Sequence, residues 1–526
     1  MDLPGALLDP ATYPHAAPAP ALIETHVSWV VLAGNYAYKV KKPVRFPFLD
    51  YSTPALRRAA CATEVALNRR WAPSLYLGVS ELVATAAGPR FDRPGTPLEP
   101  AVRMRRFDRA LELDALLAAD GVTAAELTAL GAAVAGWQAA GPAVEPDAPW
   151  GTPREALGAM HENLDALRLP GQPLPAAALA ALASWVVREH AAIAPLLAAR
   201  RAAGRVRECH GDLHARNVVR LDGRLTPFDG IDFAARLRFV DVASDAAFLA
   251  MDLERRARPE LAAAFLDGWL SASGDFGAAP VWRWFLCYRA LVRAKVDALR
   301  AQQLGADPAA ADAWSECRRL VAAASDYATR AAGLVAITCG PSGSGKSRLA
   351  AALATALPGV RLRSDVERKR LAGLPAAARS ASGLNAGLYE PAASARTYAH
   401  LVAAAAALAR AGLSVIIDAS FLDAAERQRA AAAARAAAAP FAIVECSAPA
   451  ELLLARVAAR RGDPSEATAQ VLAHQLATAR PLTAAERRYA VRVDTAGPVD
   501  AAAVAAALRA AAGPPGDWPP SSAPAS

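Results

Sequence analysis

The sequence predicts two domains of different fold class in tandem, an α+β domain followed by an α/β domain with a parallel sheet. The chain has 526 residues, which is too long for one ordinary hydrophobic core. Its first part has a few strand-like runs followed by long helical stretches. From Gly333 onwards strand-like and helical runs alternate regularly, and a glycine-rich stretch at 340–347 follows the first of these strands.

The composition is that of a globular protein with an anionic ligand. Hydrophobic residues make up 54% of the chain, and the formal net charge is +8. The basic residues are dispersed, so nucleic acid is not indicated as a partner. The six cysteines lie far apart without a C-x-x-C pair, which predicts reduced, buried thiols. We found no run long and apolar enough to span a bilayer and no secretory signal, so we expect a cytoplasmic protein without a membrane partner. The oligomeric state is not determined by the sequence.

The first domain is predicted at residues 21–330, after an N-terminal extension at 1–20. Its small lobe should contain, in order, a hairpin over Val27–Leu32 and Tyr36–Val40, a helix over Leu56–Arg70, and strands over Tyr76–Leu82 and Ala101–Arg105. Helical patterns dominate the remainder, around a short β region at Val218–Phe233.

A possible catalytic loop, H-G-D-L-H-A-R-N, occupies residues 210–217, and the β region that follows ends in Asp229. Phosphoryl transfer to a hydroxyl needs one carboxylate to accept the proton and further oxygen ligands for magnesium. Asp212 fits the first role, and Asn217 and Asp229 fit the second, with Asp232 as an alternative or additional ligand. A solvated turn rich in such residues is the other interpretation, but the apolar run before Asp229 favours catalysis.

These residues resemble the aminoglycoside phosphotransferase and choline kinase branch of the protein-kinase-like fold, over roughly Ala21 to Arg300. The resemblance implies that Asp212, Asn217 and Asp229 are the catalytic and metal-binding residues. It also implies that Asp245 steadies the catalytic loop. Many small hydroxylated substrates are compatible with this family, and the fold cannot choose among them.

By the same resemblance, Lys39 is the phosphate-binding lysine and Glu64 its ion-pair partner. Lys41 and Lys42 compete with Lys39 for that assignment. The sequence departs from the family at the hairpin, because the turn Gly34-Asn35 stands where a glycine-rich loop G-x-G-x-x-G is expected. The phosphate lid of this domain is therefore predicted to be reduced or absent.

The second domain is predicted at residues 331–512, followed by a disordered tail at 513–526. Its expected strands are Leu334–Thr338, Val360–Arg363, Ser414–Asp418 and Phe441–Cys446. Because helical stretches separate them, they should form a parallel sheet covered by helices.

A complete phosphate loop of the form G-x-x-x-x-G-K-S follows the first of these strands. Its residues are Gly340, Pro341, Ser342, Gly343, Ser344, Gly345, Lys346 and Ser347. The backbone N–H groups should surround the phosphates of ATP or GTP, with Lys346 reaching the β- and γ-phosphates and Ser347 holding Mg²⁺. A glycine-rich surface turn is the alternative, but it would need neither the preceding strand nor the helix predicted over Arg348–Leu357.

Asp365 and Arg368 follow the second strand of this domain, where the carboxyl ends of parallel strands face the ligand. The carboxylate can take a proton from an attacking hydroxyl, and the guanidinium can bind an anion through two hydrogen bonds. The alternative is structural, with Ser364 or Asp365 capping the helix and Arg368 in solvent. Both interpretations could hold together.

The apolar strand that ends in Asp418 is typical of a Walker B element that orients the magnesium shell. Farther on, Arg456, Arg460 and Arg461 lead into Gly462–Glu466, a stretch typical of a mobile lid. Arginines of a lid could neutralise phosphate charge during transfer, with Arg456 and Arg460 as nucleotide contacts. A solvated helix face is the alternative.

These motifs together resemble the small-molecule and polynucleotide kinase group of P-loop proteins, with zeta toxins as relatives, from Leu334 to about Ala512. The resemblance implies that Lys346 and Ser347 bind nucleotide and magnesium, that Asp365 is the general base, and that Arg368 contacts the acceptor. The order of the two domains resembles bacterial fusions described as bifunctional aminoglycoside phosphotransferase and ATP-binding proteins.

Three functions remain open from the sequence. The leading hypothesis is a magnesium-dependent phosphotransferase whose C-terminal domain transfers the γ-phosphoryl group of ATP to a small hydroxylated molecule. In the second, the N-terminal domain is the catalyst and the P-loop domain senses nucleotide. The third is a nucleotide-gated binding or scaffold protein without a phosphoryl acceptor.

Overall fold

The protein is described by a computed structural model that covers residues 2–46, 49–169, 172–376, 378, 380, 387–459, 465 and 467–513. It forms two compact units. The first contains the chain up to Val122 together with Gly136–Ala156 and Leu197–Leu249. The second contains Thr123–Ala135, Leu157–Leu196 and the chain from Ala250 onwards. The predicted domain boundary near residue 330 stays a prediction, but helices that precede it belong to the same compact unit as the phosphate loop.

The first unit is built on an antiparallel sheet. The strands of its N-terminal part are β1 (Ala21–Glu24), β2 (Ser28–Ala33), β3 (Tyr36–Lys41), β4 (Arg45–Phe46), β5 (Leu49–Asp50), β6 (Tyr76–Thr85), β7 (Gly88–Phe91) and β8 (Thr96–Arg105). Six of them form one sheet in the order β1-β2-β3-β8-β6-β7. The predicted hairpin is confirmed as β2 and β3, in which Val31 lies opposite Tyr38.

The remaining elements of the chain up to residue 255 are mostly helical. They are α1 (Leu3–Leu8), α2 (Pro54–Asn68), α3 (Leu113–Ala118), α4 (Ala124–Ala140), α5 (Pro153–Leu167), α6 (Ala176–Ala202), β9 (Val206–Glu208), β10 (Val218–Leu221), β11 (Arg224–Pro227), α7 (Ala235–Arg238), β12 (Phe239–Asp241) and α8 (Val242–Arg255). Helix α1 begins after Asp2, whose side chain accepts the N–H of Gly5. Leu7 of α1 is fully buried and packs in one cluster with Tyr38 and Phe91. The N-terminal extension therefore forms part of the core of the small sheet.

Helix α6 is the one helix of the described residues that is long and apolar enough to cross a membrane by length and composition. The expectation that no segment reaches this limit was therefore wrong. Arg188 and Glu189 lie in the middle of α6, and Pro195 follows within it. Core helices of proteins outside membranes meet the same criterion, so the finding is weak evidence.

The second unit contains a five-stranded parallel sheet. Its elements are α9 (Pro259–Ser273), α10 (Ala279–Leu304), α11 (Ala309–Thr329), β13 (Val335–Cys339), α12 (Lys346–Ala356), β14 (Gly359–Arg363), α13 (Ser364–Leu371), α14 (Pro391–Arg410), β15 (Ser414–Asp418), α15 (Ala424–Ala436), β16 (Phe441–Ser447), α16 (Ala450–Ala459), α17 (Ala469–Thr478), β17 (Ala490–Asp494) and α18 (Ala501–Ala511). The strand order is β14-β15-β13-β16-β17.

The predicted fold class is confirmed in both parts. The four expected strands of the parallel sheet are β13, β14, β15 and β16. The fifth, β17, was not predicted; it pairs with β16 as an edge strand, and its residues alternate between apolar and charged. Every residue of β13 is buried, as expected for a central strand covered by helices on both faces.

Short 3-10 helices complete the described structure, at Pro10–Thr12, Arg109–Leu111, Ala215–Asn217, Phe276–Ala278, Gly387–Tyr389 and Glu486–Tyr489. All six cysteines of the sequence are buried and free, which confirms their predicted burial. Their redox state stays a prediction. Burial raises the pKa of Cys61 to about 12 and that of Cys339 to about 11. Of the predicted disordered tail, 514–526 lie outside the described residues.

Candidate active sites

The predicted catalytic loop of the first unit, residues 210–217, lies between β9 and β10, and Asp245 of α8 bonds to its backbone. This carboxylate is 1% exposed and accepts the N–H of Gly211 at 2.9 Å. Gln138 of α4 donates a further hydrogen bond of 3.1 Å to the same carboxylate. The contact agrees with the predicted role of Asp245, because a buried carboxylate that accepts loop N–H groups holds the loop in one conformation.

Asp212 is the acidic residue of this loop, and 37% of its side chain is accessible. Its Oδ2 accepts a hydrogen bond of 3.0 Å from Nδ2 of Asn217 and lies 3.4 Å from Nε2 of His214. The adjacent His210 is buried and donates through Nε2 to the carbonyl of Phe228 at 2.9 Å. The structure therefore brings the predicted base Asp212, which is accessible, into contact with the predicted ligand Asn217, which is buried.

Two lysines of β3 and one glutamate of α2 form a buried charge cluster in the same unit. Nζ of Lys39 lies 2.8 Å from Glu64 and 2.7 Å from Asp229. Nζ of Lys41 lies 2.8 Å from the other oxygen of Glu64 and 2.6 Å from Asp232. Burial acts to raise the pKa of Glu64, but the two ammonium groups overcome it and lower the pKa to about 2.

The three candidate lysines differ in their contacts. Lys42 pairs with Glu24, outside the cluster, and its competing assignment stays a prediction. Lys41 is 2% exposed, whereas Lys39 contacts Asp229, which is 49% exposed. Lys39 is thus the lysine placed next to the predicted metal ligand, and its role in binding phosphate stays a prediction.

The N-terminal segment lies over the β2–β3 hairpin, where the glycine-rich loop was missing. Nε2 of His15 lies 3.1 Å from the hydroxyl of Tyr38, and the rings of His15 and Tyr36 are 4.6 Å apart. The reduction of the phosphate lid in this domain stays a prediction.

The phosphate loop of the second unit connects β13 to α12. Gly343 has φ +81°, and a Cβ atom there would lie 2.7 Å from the carbonyl oxygen of Leu453. A larger residue would therefore distort the loop. Ser344 is fully buried, and its carbonyl accepts the hydroxyl of Thr495 at 3.0 Å. The loop is held in place by the protein alone.

Lys346, Ser347 and Asp418 lie where the phosphate-loop motif predicts them. The hydroxyl of Ser347 donates to Oδ1 of Asp418 at 3.0 Å, and Asp418 is 5% exposed. Burial raises the pKa of the Asp418 carboxyl. Nζ of Lys346 donates to the carbonyl of Pro341 at 2.6 Å, and burial lowers the pKa of this ammonium. Within the described ranges no carboxylate forms an ion pair with Lys346, and phosphate oxygens would provide an anionic partner.

Asp365 and Arg368 lie one turn apart in α13. Both line the same cavity as Lys346 and Ser347. The structural alternative for these residues is wrong, because the N-cap of α13 is Arg363, which makes no capping hydrogen bond. Arg368 is also 8% exposed rather than solvated.

This cavity has a volume of about 660 Å³ and collects most of the predicted residues of the second domain. From those predictions its walls contain Ser342, Gly343, Gly345, Lys346, Ser347, Asp365, Arg368, Asp418 and Arg456. Gly340, Pro341 and Ser344 shape the phosphate loop without lining the cavity. Arg460, together with most of the predicted lid, lies outside the described residues.

Arg456 of α16 is placed in the wall, but its guanidinium bonds to the protein itself. Nη1 donates to the carbonyl of Gly343 at 3.3 Å, and Nη2 donates to the carbonyl of Thr495 at 2.6 Å. Arg456 thus connects the phosphate loop to the end of β17. A direct contact with nucleotide stays a prediction.

Three further cavity residues were missed by sequence reasoning. Arg363 ends β14, and its Nε lies 3.6 Å from Asp418. Tyr398 of α14 shares a hydrogen bond of 3.0 Å with Ser420. Gln475 of α17 accepts the N–H of Ser342 at 2.8 Å. A tyrosine within the Ala-rich α14 was a usable signal, whereas Gln475 has no local signature.

The residues of the second unit fit MgATP. Magnesium in nucleotide sites is usually held by one or two protein oxygens together with phosphate oxygens and water. Ser347 and Asp418 supply such a pair. Among the described residues no three His, Cys, Asp or Glu side chains form a metal cluster in either unit.

The two folds and their motifs define an ATP-dependent phosphotransferase. Residues 93–286 match the phosphotransferase enzyme family, and residues 335–482 match a family described as an AAA domain, whose match includes the phosphate loop. The chain is 34% identical over 478 residues to an uncharacterized protein of Mycobacterium tuberculosis, covering 90% of this chain and 92% of that protein. It belongs to the family of that protein. In this chain the residues matched by the phosphotransferase family precede the match that includes the phosphate loop. A Mycobacterium bovis protein matches equally.

Solved structures of kinases resemble parts of the chain. A sugar kinase from Janibacter sp. covers 36% of this chain and 99% of its own, with 22% identity and a TM-score of 0.28. A choline/ethanolamine kinase family protein from Mesorhizobium loti covers 62% of this chain and 99% of its own, with 14% identity and a TM-score of 0.36.

Proposed function

We propose that the P-loop site transfers the γ-phosphoryl group of ATP to a hydroxyl group of a small molecule that also carries an anionic group. The observation that carries the proposal is the shared cavity, in which Asp365 and Arg368 face the same space as Lys346 and Ser347. Catalysis of phosphoryl transfer depends mainly on positioning and charge stabilisation, so donor and acceptor groups must meet in one enclosed space.

Asp365 is the general base in this proposal. It is half-buried in the first turn of α13, within the cavity wall. The carboxylate takes the proton of the acceptor hydroxyl while the acceptor oxygen bonds to the γ-phosphorus, and ADP leaves with the electrons of the broken P–O bond. Bound Mg²⁺ would offset the charge of the phosphates, and Lys346 adds a second cation beside them.

The anionic group of the acceptor follows from the surroundings of Arg368. Its Nη1 donates to the carbonyl of Leu388 at 2.9 Å and to the hydroxyl of Ser394 at 3.0 Å, and the guanidinium lies 4.8 Å from the centre of the Tyr389 ring. Within the described part of the chain no carboxylate pairs with Arg368. A buried guanidinium without a counter-ion is costly unless a ligand supplies the negative charge.

The test is ATP consumption by the full chain with a panel of hydroxylated acids and their neutral counterparts. We expect Lys346→Ala and Asp365→Asn to lower turnover by about 10² to 10⁴-fold. Arg368→Lys should raise the KM for the acid, because an ammonium lacks the planar pair of donors. The variant should still prefer the acid to its neutral counterpart, because it keeps the positive charge. Arg435→Leu removes an exposed arginine of α15 and is the control. Unchanged turnover in the Lys346 and Asp365 variants would refute the proposal.

A second candidate assigns the chemistry to the first unit, with the P-loop site as a nucleotide sensor. The contact between Asp212 and Asn217 favours it, because the predicted base is accessible and oriented. In that case Asp212→Ala abolishes product formation and Lys346→Ala does not. The reverse result supports the P-loop site.

A further inference from the structure

Helix α9 covers the outer edge of the parallel sheet in the second unit. Strand β14 is an edge strand, so its outward N–H groups have no neighbouring strand to bond to. Oδ1 of Asp267, on α9, accepts the N–H of Arg361 in β14 at 2.6 Å. A side chain from the helical segment that precedes the P-loop sequence thus satisfies a backbone donor of the P-loop sheet.

The C-terminal end of α9 and the glycine after it contact helix α13, which contains Asp365 and Arg368. Arg370 of α13 donates from Nη2 to the carbonyl of Ser271. Gly274 lies so close that a Cβ atom there would collide with the Arg370 side chain. Both β14 and α13, the elements on the acceptor side of the cavity, are therefore in contact with residues 259–278.

Asp267 contacts Arg361 directly and acts on Arg363 through its charge, and each of these arginines lies next to a predicted magnesium ligand. Arg361 donates from Nη1 to the carbonyl of Ser347 at 3.3 Å, and Nε of Arg363 lies 3.6 Å from Oδ2 of Asp418. Burial raises the pKa of Asp267, and the charges of Arg361 and Arg363 oppose that rise. The two arginines therefore stand between one carboxylate of α9 and one carboxylate of the nucleotide site.

We propose that Asp267 is a positioning residue of the P-loop site, which tethers Arg361 and balances the charge of Arg361 and Arg363. Without this balance both guanidinium groups compete more strongly with Mg²⁺ for Asp418 and its surroundings. The inference rests on the proposed function of the P-loop site. Helix α9 lies within the residues matched by the phosphotransferase family. By this inference it also positions residues of the P-loop site.

Two variants separate the tether from the charge. Asp267→Ala removes both, whereas Asp267→Asn keeps an oxygen that can accept the N–H of Arg361. The matched control is Asp312→Asn, which removes an exposed carboxylate from α11. Two quantities are measured on the full chain: hydrogen exchange of the Arg361 amide without ligand, and the Mg²⁺ concentration that half-saturates binding of ATP.

In Asp267→Ala we expect the hydrogen of the Arg361 amide to exchange faster than in the wild type. Both Asp267 variants should need about tenfold more Mg²⁺ for half-saturation of ATP binding, which is the effect expected from the loss of one charged contact. Asp267→Asn should leave the exchange close to that of the wild type. Unchanged Mg²⁺ dependence in Asp267→Asn overturns the charge role, and unchanged exchange in Asp267→Ala overturns the tether. If Asp267→Ala does not fold, Asp267→Asn still decides the charge role. If the wild type binds no MgATP, the proposed function fails, and the exchange experiment still tests the tether.

Discussion

The hydroxyl of Ser347 donates a hydrogen bond of 3.0 Å to Oδ1 of Asp418. Ser347 lies in the first turn of the helix after the phosphate loop, and Asp418 ends the neighbouring strand β15. Parallel strands bring such residues to the same edge of a sheet, although their positions in the chain differ by 71. The two side-chain oxygens are placed so that both could contact one Mg²⁺ ion, whose other ligands would include phosphate oxygens of a nucleotide.

Removal of the Ser347 hydroxyl should weaken the binding of ATP only when Mg²⁺ is present. We expect Ser347→Ala to lower the affinity for MgATP by about tenfold or more and to leave binding of metal-free ATP nearly unchanged, because the backbone N–H groups of the loop remain. Titration calorimetry with and without EDTA measures both. Equal losses under the two conditions would show that Ser347 acts on the loop rather than on the metal.

The buried pair of Arg427 and Glu486 should dominate the stability of the second unit. Arg427 is fully buried, and its Nε lies 2.7 Å from Glu486. Arg427→Met leaves a buried carboxylate without its partner, so we expect a loss of about 3–5 kcal/mol in the free energy of unfolding. Arg429→Ala breaks an exposed pair with Glu426 and should cost less than about 1 kcal/mol. Similar losses in the two variants, measured by denaturant titration, would contradict this assignment.

The charge cluster of the first unit gives a matched pair of lysine variants. Lys41→Met removes the buried ammonium between Glu64 and Asp232, and we expect it to cost about 3–5 kcal/mol of stability. Lys42→Met removes an ammonium whose partner, Glu24, is 64% exposed, so its effect should stay below about 1 kcal/mol. A smaller effect at position 41 than at position 42 would mean that the cluster is not stabilised by its charges.

His210 should make the stability depend on pH. Burial lowers the pKa of this imidazole, so the folded protein holds it neutral while the unfolded chain gains a proton below about pH 6.5. The free energy of unfolding should therefore fall as the pH decreases below that value, by at most about 1.4 kcal/mol per pH unit from this residue. His210→Gln should flatten the slope between about pH 5 and 7. An unchanged slope would show that the imidazole titrates freely in the folded state.

The sequence predicted those features that depend on local pattern. Strand β15 has the predicted bounds, and the phosphate loop has a strand before it and a helix after it. These elements carry their information in consecutive residues, because apolar runs and glycines act on the backbone where they stand.

The features that sequence reasoning missed depend on contacts between distant residues. Strand β17 becomes a strand by pairing with β16, and its own short alternating pattern was too weak to predict it. Asp267 reaches Arg361 across 94 residues, and Gln475 reaches Ser342 across 133. Neither partner carries a motif, so only the folded chain shows that they belong to the nucleotide site.

The burial of all six cysteines has a practical consequence for spectroscopy. Thiol-reactive dyes need an accessible thiolate, and all six thiols are buried. Burial also raises the pKa of Cys61 and of Cys339. One cysteine introduced at an exposed position, such as Arg435, would thus be labelled selectively in the native chain. Fluorescent probes could then report on nucleotide binding without a prior cysteine-free background.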